Sequence, residues 1–359
     1  MSDILINVIV YDNNTNTHLI NLYHNTLKIL IYSSVVTGTM KKALVTGGAG
    51  FIGSAIVEAL MFSKTKVTVF DNFSSGVLTN VNRWLHSHHF TLLRGDLLHA
   101  SDLSKLEAES FDLVFHLAAN PEVRVGSINP GMHFQQNLVA THNLLEYIRK
   151  TQKTPTLVFT STSTVYGEPT TIPTPENYSP LAPISIYGAT KLACEALISG
   201  YAHTYGLKAI IYRLANIIGP RSTHGVIRDF IQKLEKNRHE LEILGDGTQN
   251  KSYLHISDCT EAIILGMEKS KHKLDVYNVG SEDQISVKEI ARIIIKEMGL
   301  RNVKLTFSGG VDGGRGWRGD VKNMLLDITR IKSLGWKPKQ NSKQAVERTA
   351  KELVNTTRA

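Results

Sequence analysis

From residue 42 the chain switches repeatedly between two rhythms of apolar and polar positions. Short apolar runs appear in KALVTGGAG, KVTVFDN, FDLVFHLAA (111–119), TLVFTSTS (156–163) and KAIIYRLAN (208–216). They have the length and composition of strands buried on both faces. Between them lie longer segments with apolar residues at helical intervals. FIGSAIVEALMF is one. NPGMHFQQNLVATHNLLEYIRK is another; it opens with Asn129 as N-cap and Pro130 at the first helical position, followed by Phe134, Leu138, Leu145 and Ile148. Strand and helix in alternation predict βαβ units, hence an α/β fold with a doubly wound parallel sheet.

After about residue 216 the rhythm loosens into the glycine-containing segments GPRSTHG, LGDGTQN and SGGVDGGRGWRGD. The expected organisation is a first domain over 40–216 and a smaller α/β substrate domain over 217–359. Some segments of the second part are expected to return to the first. No internal repeat is evident.

Composition narrows the function classes. Of 359 residues, 42% are hydrophobic and 20% charged, which is globular composition. The net charge of +8 suits anionic partners. The basic residues are scattered rather than run together, which argues against nucleic acid as the partner. Cys194 and Cys259 lie far apart, in no metal-type spacing. They imply no disulfide framework and no metal site, and they fit a cytoplasmic enzyme. No apolar stretch reaches the ~18 residues of a membrane span. Residues 1–39 read as an extension outside the fold, because Met40 stands directly before the first strand pattern. The short apolar LKILIYSSVV offers a signal peptide as the alternative, although no basic segment precedes it.

TGGAGFIG places Gly47, Gly50 and Gly53 between a strand and a helix. Glycines there let backbone approach a pyrophosphate at a helix N-terminus. The next strand ends at Asp71, whose carboxylate suits an adenosine ribose and repels a 2′-phosphate, so NAD is expected rather than NADP. Together these are the marks of a Rossmann-type dinucleotide site. Asp96 in RGDL ends a third apolar run, where an adenine would lie. Ala118 and Ala119 in HLAA leave room beside a cofactor, or simply pack the core.

SIYGATK puts Tyr187 and Lys191 four residues apart, on one face of a helix. A free tyrosine is a weak base at neutral pH; a nearby ammonium is expected to lower its pKa. Thr162, just past a strand end, can hydrogen-bond a reacting alcohol. The chemistry that fits is reversible hydride transfer between a secondary alcohol and NAD, with Tyr187 handling the hydroxyl proton.

Taken together, these motifs resemble the extended short-chain dehydrogenase/reductase superfamily. The likeness is to its nucleotide-sugar epimerase branch, of the UDP-glucose 4-epimerase type, and covers roughly residues 42–340. It rests on TGGAGFIG, Asp71 with NFSSG, RGDL, HLAA, Asn137, STVYG, YGATK, RLANIIGPR, KSYLHISD and GWRGDV. The resemblance implies Thr162, Tyr187 and Lys191 as catalytic residues and a structural role for Tyr166. It extends the cofactor set from Gly47, Gly50, Gly53, Asp71, Asp96, Ala118 and Ala119 to Phe51, Ile52, Asn72, Ser74, Ser75, Gly76, Leu97, Leu117 and Asn137. It implies that Thr162, Asn216, Lys251 and Arg315 meet a nucleotide sugar, and that the protein is a homodimer. In such enzymes hydride leaves the sugar C4, a 4-keto intermediate turns over, and hydride returns to the other face.

Ser163 and Thr164 stand where dehydratases and decarboxylases of the superfamily carry acids, which favours epimerisation. Three departures bear on the substrate. Lys251 and Trp317 replace arginines, with Arg315 the favoured substitute over Arg318, and Met324 stands at the C2 position. An NAD(P)-dependent reductase and a non-catalytic RNA-binding relative are the competing readings.

Overall fold

The computed structural model describes residues 40–107 and 109–358. The expectation for residues 1–39 falls outside them. Seven parallel strands form the central sheet. They are β1 (Lys42–Thr46), β2 (Lys66–Asp71), β3 (Phe90–Arg94), β4 (Leu113–His116), β5 (Thr156–Thr162), β6 (Ala209–Leu214) and the strand Leu274–Val279. Their order is β3-β2-β1-β4-β5-β6 and then Leu274–Val279. β1 therefore pairs with β2 on one side and β4 on the other. The crossovers reverse there, which opens a crevice beyond the carboxyl ends of β1 and β4.

The apolar runs form strands because both sheet faces are covered. Leu44, Val114, Leu157 and Ile211 pack on one face, and Val45, Phe115, Val158 and Tyr212 on the other. A third core gathers Ile227, Phe230, Leu241, Ile290 and Val346. It holds the second region, whose helices include Val226–Lys236, Val287–Glu297 and Ser342–Arg358. Here the strands are short. Asn216–Ile218 pairs with Tyr253–His255, and Glu240–Ile243 with Lys304–Phe307.

The chain crosses between regions after residue 216. Leu274–Val279 lies beside β6 in the main sheet, and the helix Ile256–Lys269 packs against Phe51–Phe62. The helix expected from Asn129 also differs in detail. Its first turn Pro130–His133 carries proline at the start, but Phe134–Val139 is a π-helical segment before Ala140–Lys150 resumes the α-helix. The wider turn rotates the face. His133 and Asn137 point inward, while Phe134 is exposed. Among the described residues no helix is long and apolar enough to cross a membrane, and no group of three or more ligating side chains could hold a metal ion.

Candidate active site

The glycine loop sits at the carboxyl end of β1. Gly47 takes φ of +70°, and a Cβ there would come within 2.7 Å of the Ala118 backbone nitrogen. A Cβ at Gly53 would lie 2.0 Å from the Gly47 carbonyl oxygen. Loop, helix start and the end of β4 are thus packed backbone to backbone, which only glycine permits. Gly50 N-caps Phe51–Phe62 with no side-chain capping bond, so the first N–H groups of that helix face the cleft. Gly47, Gly50, Phe51, Ile52 and Gly53 all line it.

Asp71 ends β2 and is 6% exposed. Its two oxygens accept from the backbone N–H groups of Ala49 (2.9 Å) and Phe73 (2.8 Å). Burial raises its pKa, opposed by those two bonds. Asn72 donates to Asp96 at 2.9 Å, and Asp96 also accepts from the Leu98 N–H at 2.9 Å, which fixes the third strand end. Ser74, Ser75, Leu97, Leu117, Ala118 and Ala119 complete this wall.

Thr162 is the last residue of β5, and Tyr187 lies in the first turn of Ile186–Tyr205. Ser185 caps that helix by accepting from the Gly188 N–H at 3.1 Å. The Thr162 hydroxyl lies beside the Tyr187 phenol and accepts from the Thr164 N–H at 3.2 Å. Lys191 is buried, its ammonium 4.2 Å from the centre of the Phe159 ring. The expected lowering of the tyrosine pKa is not present in this geometry. Burial pushes Tyr187 up to about 12, against the lowering influence of the neighbouring Thr162 hydroxyl. Lys191, over the Phe159 ring, does not offset that rise. Burial lowers the lysine to about 8, while Cys194 and Glu195 oppose the fall. Ser163 and Thr164 line the cleft beside these groups.

The opposite wall belongs mainly to the second region. Asn216 lines it and donates to the Ser252 carbonyl at 3.1 Å. Lys251 pairs with Asp320 at 2.6 Å and lies 5.7 Å from the Trp317 ring. Arg124 lies 5.8 Å from the same ring while paired with Glu122 at 3.0 Å. The Trp317 indole N–H, buried, has no hydrogen-bond partner among the described residues.

Three sequence expectations are corrected. Arg315 does not line the cleft: its guanidinium is held by Glu168 and the Asp312 carbonyl. Asn137 lies one layer behind the wall, accepting from the Asn120 N–H at 2.8 Å and donating to Thr190 at 3.2 Å, so it braces rather than lines. Gly76 packs against Ala49 and Asp71 beneath the loop, where a side chain would collide. Glu122, Arg124, His224 and Asp229 line the cleft without any motif to announce them.

A family model described as NAD dependent epimerase/dehydratase family matches residues 43–280. The chain belongs to that family. A putative UDP-glucose 4-epimerase of Methanocaldococcus jannaschii is 33% identical over 319 residues, covering 88% of this chain and 99% of its own. A crystal structure of a UDP-galactose 4-epimerase superposes with a TM-score of 0.77 at 40% identity, covering 88% of this chain and 99% of that one. A UDP-glucuronic acid 4-epimerase from Bacillus cereus, solved with UDP-glucuronic acid and NAD, gives 0.78 at 30% identity, with 88% and 99% covered.

As a member of this epimerase/dehydratase family the protein is an enzyme, and its cofactor is NAD. The residues present fit that cofactor. A Cβ at Gly50 would protrude into the cradle, touching only the Gly47 carbonyl at 3.1 Å. The uncapped helix N-terminus above it suits a diphosphate, and Asp71 stands where a ribose would lie. The cleft holds about 480 Å³, within the ~300–1,000 Å³ of small-molecule sites.

Proposed function

We propose that this enzyme interconverts the two C4 epimers of a UDP-sugar, with UDP-glucose and UDP-galactose the favoured pair. One observation carries the reading. Thr162 and Tyr187 both line the cleft, with Ser163 and Thr164, not carboxylates, beside them. Tyr187 takes the proton from the sugar hydroxyl and later returns it. Thr162 holds that oxygen and passes the proton along. Lys191 lines the same cleft, and its ammonium, over the Phe159 ring in the ligand-free geometry, favours the phenolate once it turns toward the phenol. NAD, which the glycine loop and Asp71 would hold, would supply the hydride acceptor and donor for C4. With no acid at 163 or 164, the 4-keto sugar is not driven on to elimination.

The experiment is conversion of UDP-galactose to UDP-glucose by purified protein, with no net change in NADH. Tyr187→Phe should lower kcat by ~10²–10⁴ while leaving the fold unchanged by circular dichroism. Near-normal turnover by that variant would sink the mechanism. A stoichiometric change in NADH would instead identify a reductase, if NADH is consumed, or a dehydrogenase, if it is formed. UDP-glucuronic acid is the second reading, because Arg124 puts a guanidinium on the cleft wall; competition between the two sugars decides. The homodimer and cytoplasmic location belong to the same proposal. Phe134 and Ile186, exposed near the starts of the two helices that would pair, support the dimer, and sedimentation analysis tests it.

A further inference from the structure

Tyr187, Lys191 and Glu195 are spaced by four residues each and form one stripe along their helix. The third member is a carboxylate only 6% exposed. It is held by Arg213, which donates from Nε at 3.1 and 3.2 Å and from Nη2 at 2.7 Å. It also accepts from the Ser161 hydroxyl. Ser161 directly precedes Thr162 on β5 and lies in register with Arg213 on β6. The other arm of Arg213 donates to the Tyr166 hydroxyl and the Glu176 carbonyl, both at 3.0 Å. Tyr166 closes the turn that follows Thr162 and donates to Asn278 at 2.8 Å.

We propose that Glu195 is a positioning residue for the proton-transfer centre: it clamps the end of β5, which carries Thr162, to the helix that carries Tyr187 and Lys191. The inference rests on the function proposed above. β6 is buried along its whole length, and its other side chains are apolar or tyrosine. An apolar pair would fill this space, and a buried ion pair is a weak source of net stability. What the pair adds is direction. A bidentate guanidinium fixes the carboxylate in plane, and the hydroxyl of Ser161 joins that plane to the residue beside Thr162. Four elements meet at these atoms: β5, β6, the turn 163–166 and the Tyr187 helix.

The test uses the full chain with its cofactor. Ser161→Ala cuts only the tether to β5. It should lower kcat about tenfold, with KM for UDP-galactose, NAD content and Tm close to wild type. Glu195→Gln should lower kcat further. The double variant Glu195→Met/Arg213→Met removes both charges; it should recover Tm relative to Glu195→Gln without recovering kcat. Recovery of kcat together with Tm would make the pair structural and overturn the proposal, as would wild-type kcat in Ser161→Ala. Loss of activity in the wild type on every UDP-sugar would count against the proposed function instead. The clamp is then read without turnover, from the NMR signal of ring-labelled Tyr187. That signal should move in Ser161→Ala, and an unmoved signal overturns the proposal.

Discussion

The two walls of the cleft are built differently. One consists of strand ends: the glycine loop after β1, Asp71 after β2, Leu117–Ala119 after β4 and Thr162 at the end of β5. Sheet register places these groups, and backbone contacts too close for any side chain hold them. The other consists of two short strands and the glycine-rich loop around Trp317. Its groups are held by side-chain pairs, Lys251 with Asp320, Lys322 with Asp246 and Arg315 with Glu168. Register is a collective property of a sheet, whereas an ion pair is a local one. The first wall should therefore govern chemistry and cofactor, and the second should govern substrate affinity.

The largest effect that could break this contrast is at Lys191. Lys191→Met should lower kcat by ~10²–10⁴ with a much smaller change in KM, measured on UDP-galactose. A change in KM alone would place the lysine with the second wall. The same variant has a stability signature. Burial holds Lys191 at about 8 against 10.5 when exposed. Between those values the unfolded chain binds more protons, so this component makes stability rise with pH. Above 10 Tyr187 acts oppositely, since its folded pKa of about 12 lies above the unfolded 10. Urea midpoints of the cofactor-free protein should therefore climb across pH 8 to 10 more steeply in wild type than in Lys191→Met.

Gly53→Ala comes next. The new methyl would sit 2.0 Å from a backbone oxygen, which cannot swing aside as a side chain does. The loop must open, at a cost of ~1–3 kcal/mol, and NAD should be lost from the purified protein. Retained NAD and an unchanged Tm would show the loop to be less tightly set than its geometry implies. Asp71→Ser should act more gently. Removing the carboxylate should narrow the preference for NAD over NADP by about tenfold, measured as the ratio of the two dissociation constants.

The same contrast explains what could be read from the chain itself. The first wall was legible because each strand end is marked by a change of rhythm, and TGGAGFIG, RGDL and YGATK sit at those changes. The sheet and the grouping of Gly47, Asp71, Thr162 and Tyr187 follow from that. Asn137 was read as a cofactor residue because it has a motif position. The π-helical turn at Phe134–Val139, which no periodicity announces, turns it into the layer behind. Arg315 was read as a substrate residue because Trp317 stands where relatives carry a diphosphate-binding arginine and Arg315 is close enough in sequence to substitute. Its carboxylate partner Glu168 is 147 positions away, and pairing over that distance leaves no local pattern. Arg124 was missed because, beyond its near neighbour Glu122, its place beside the cleft is marked only by the distant Trp317 ring. Glu195 was within reach: continuing the stripe of Tyr187 and Lys191 by four residues finds it.

The smallest effect tests the second wall most directly. The Trp317 ring has two cations near it, the charged groups of Arg124 and Lys251 at 5.8 and 5.7 Å. Each contact is worth ~0.5–2 kcal/mol, so Trp317→Arg loses both and adds repulsion in their place. The ligand-free variant should accordingly melt a few degrees lower. A third guanidinium or ammonium there also makes a stronger anion site, because a diphosphate neutralises all three at once. KM for the UDP-sugar should fall by ~2–5-fold, since the gain is partly spent on overcoming that repulsion, and kcat should hardly move. The effect should weaken with added salt, as exposed charge contacts do. A fall in kcat at constant KM would mean that Trp317 faces the reacting sugar and not the diphosphate. The division of labour between the walls would then have to be redrawn, with the glycine-rich loop moved to the side of Tyr187.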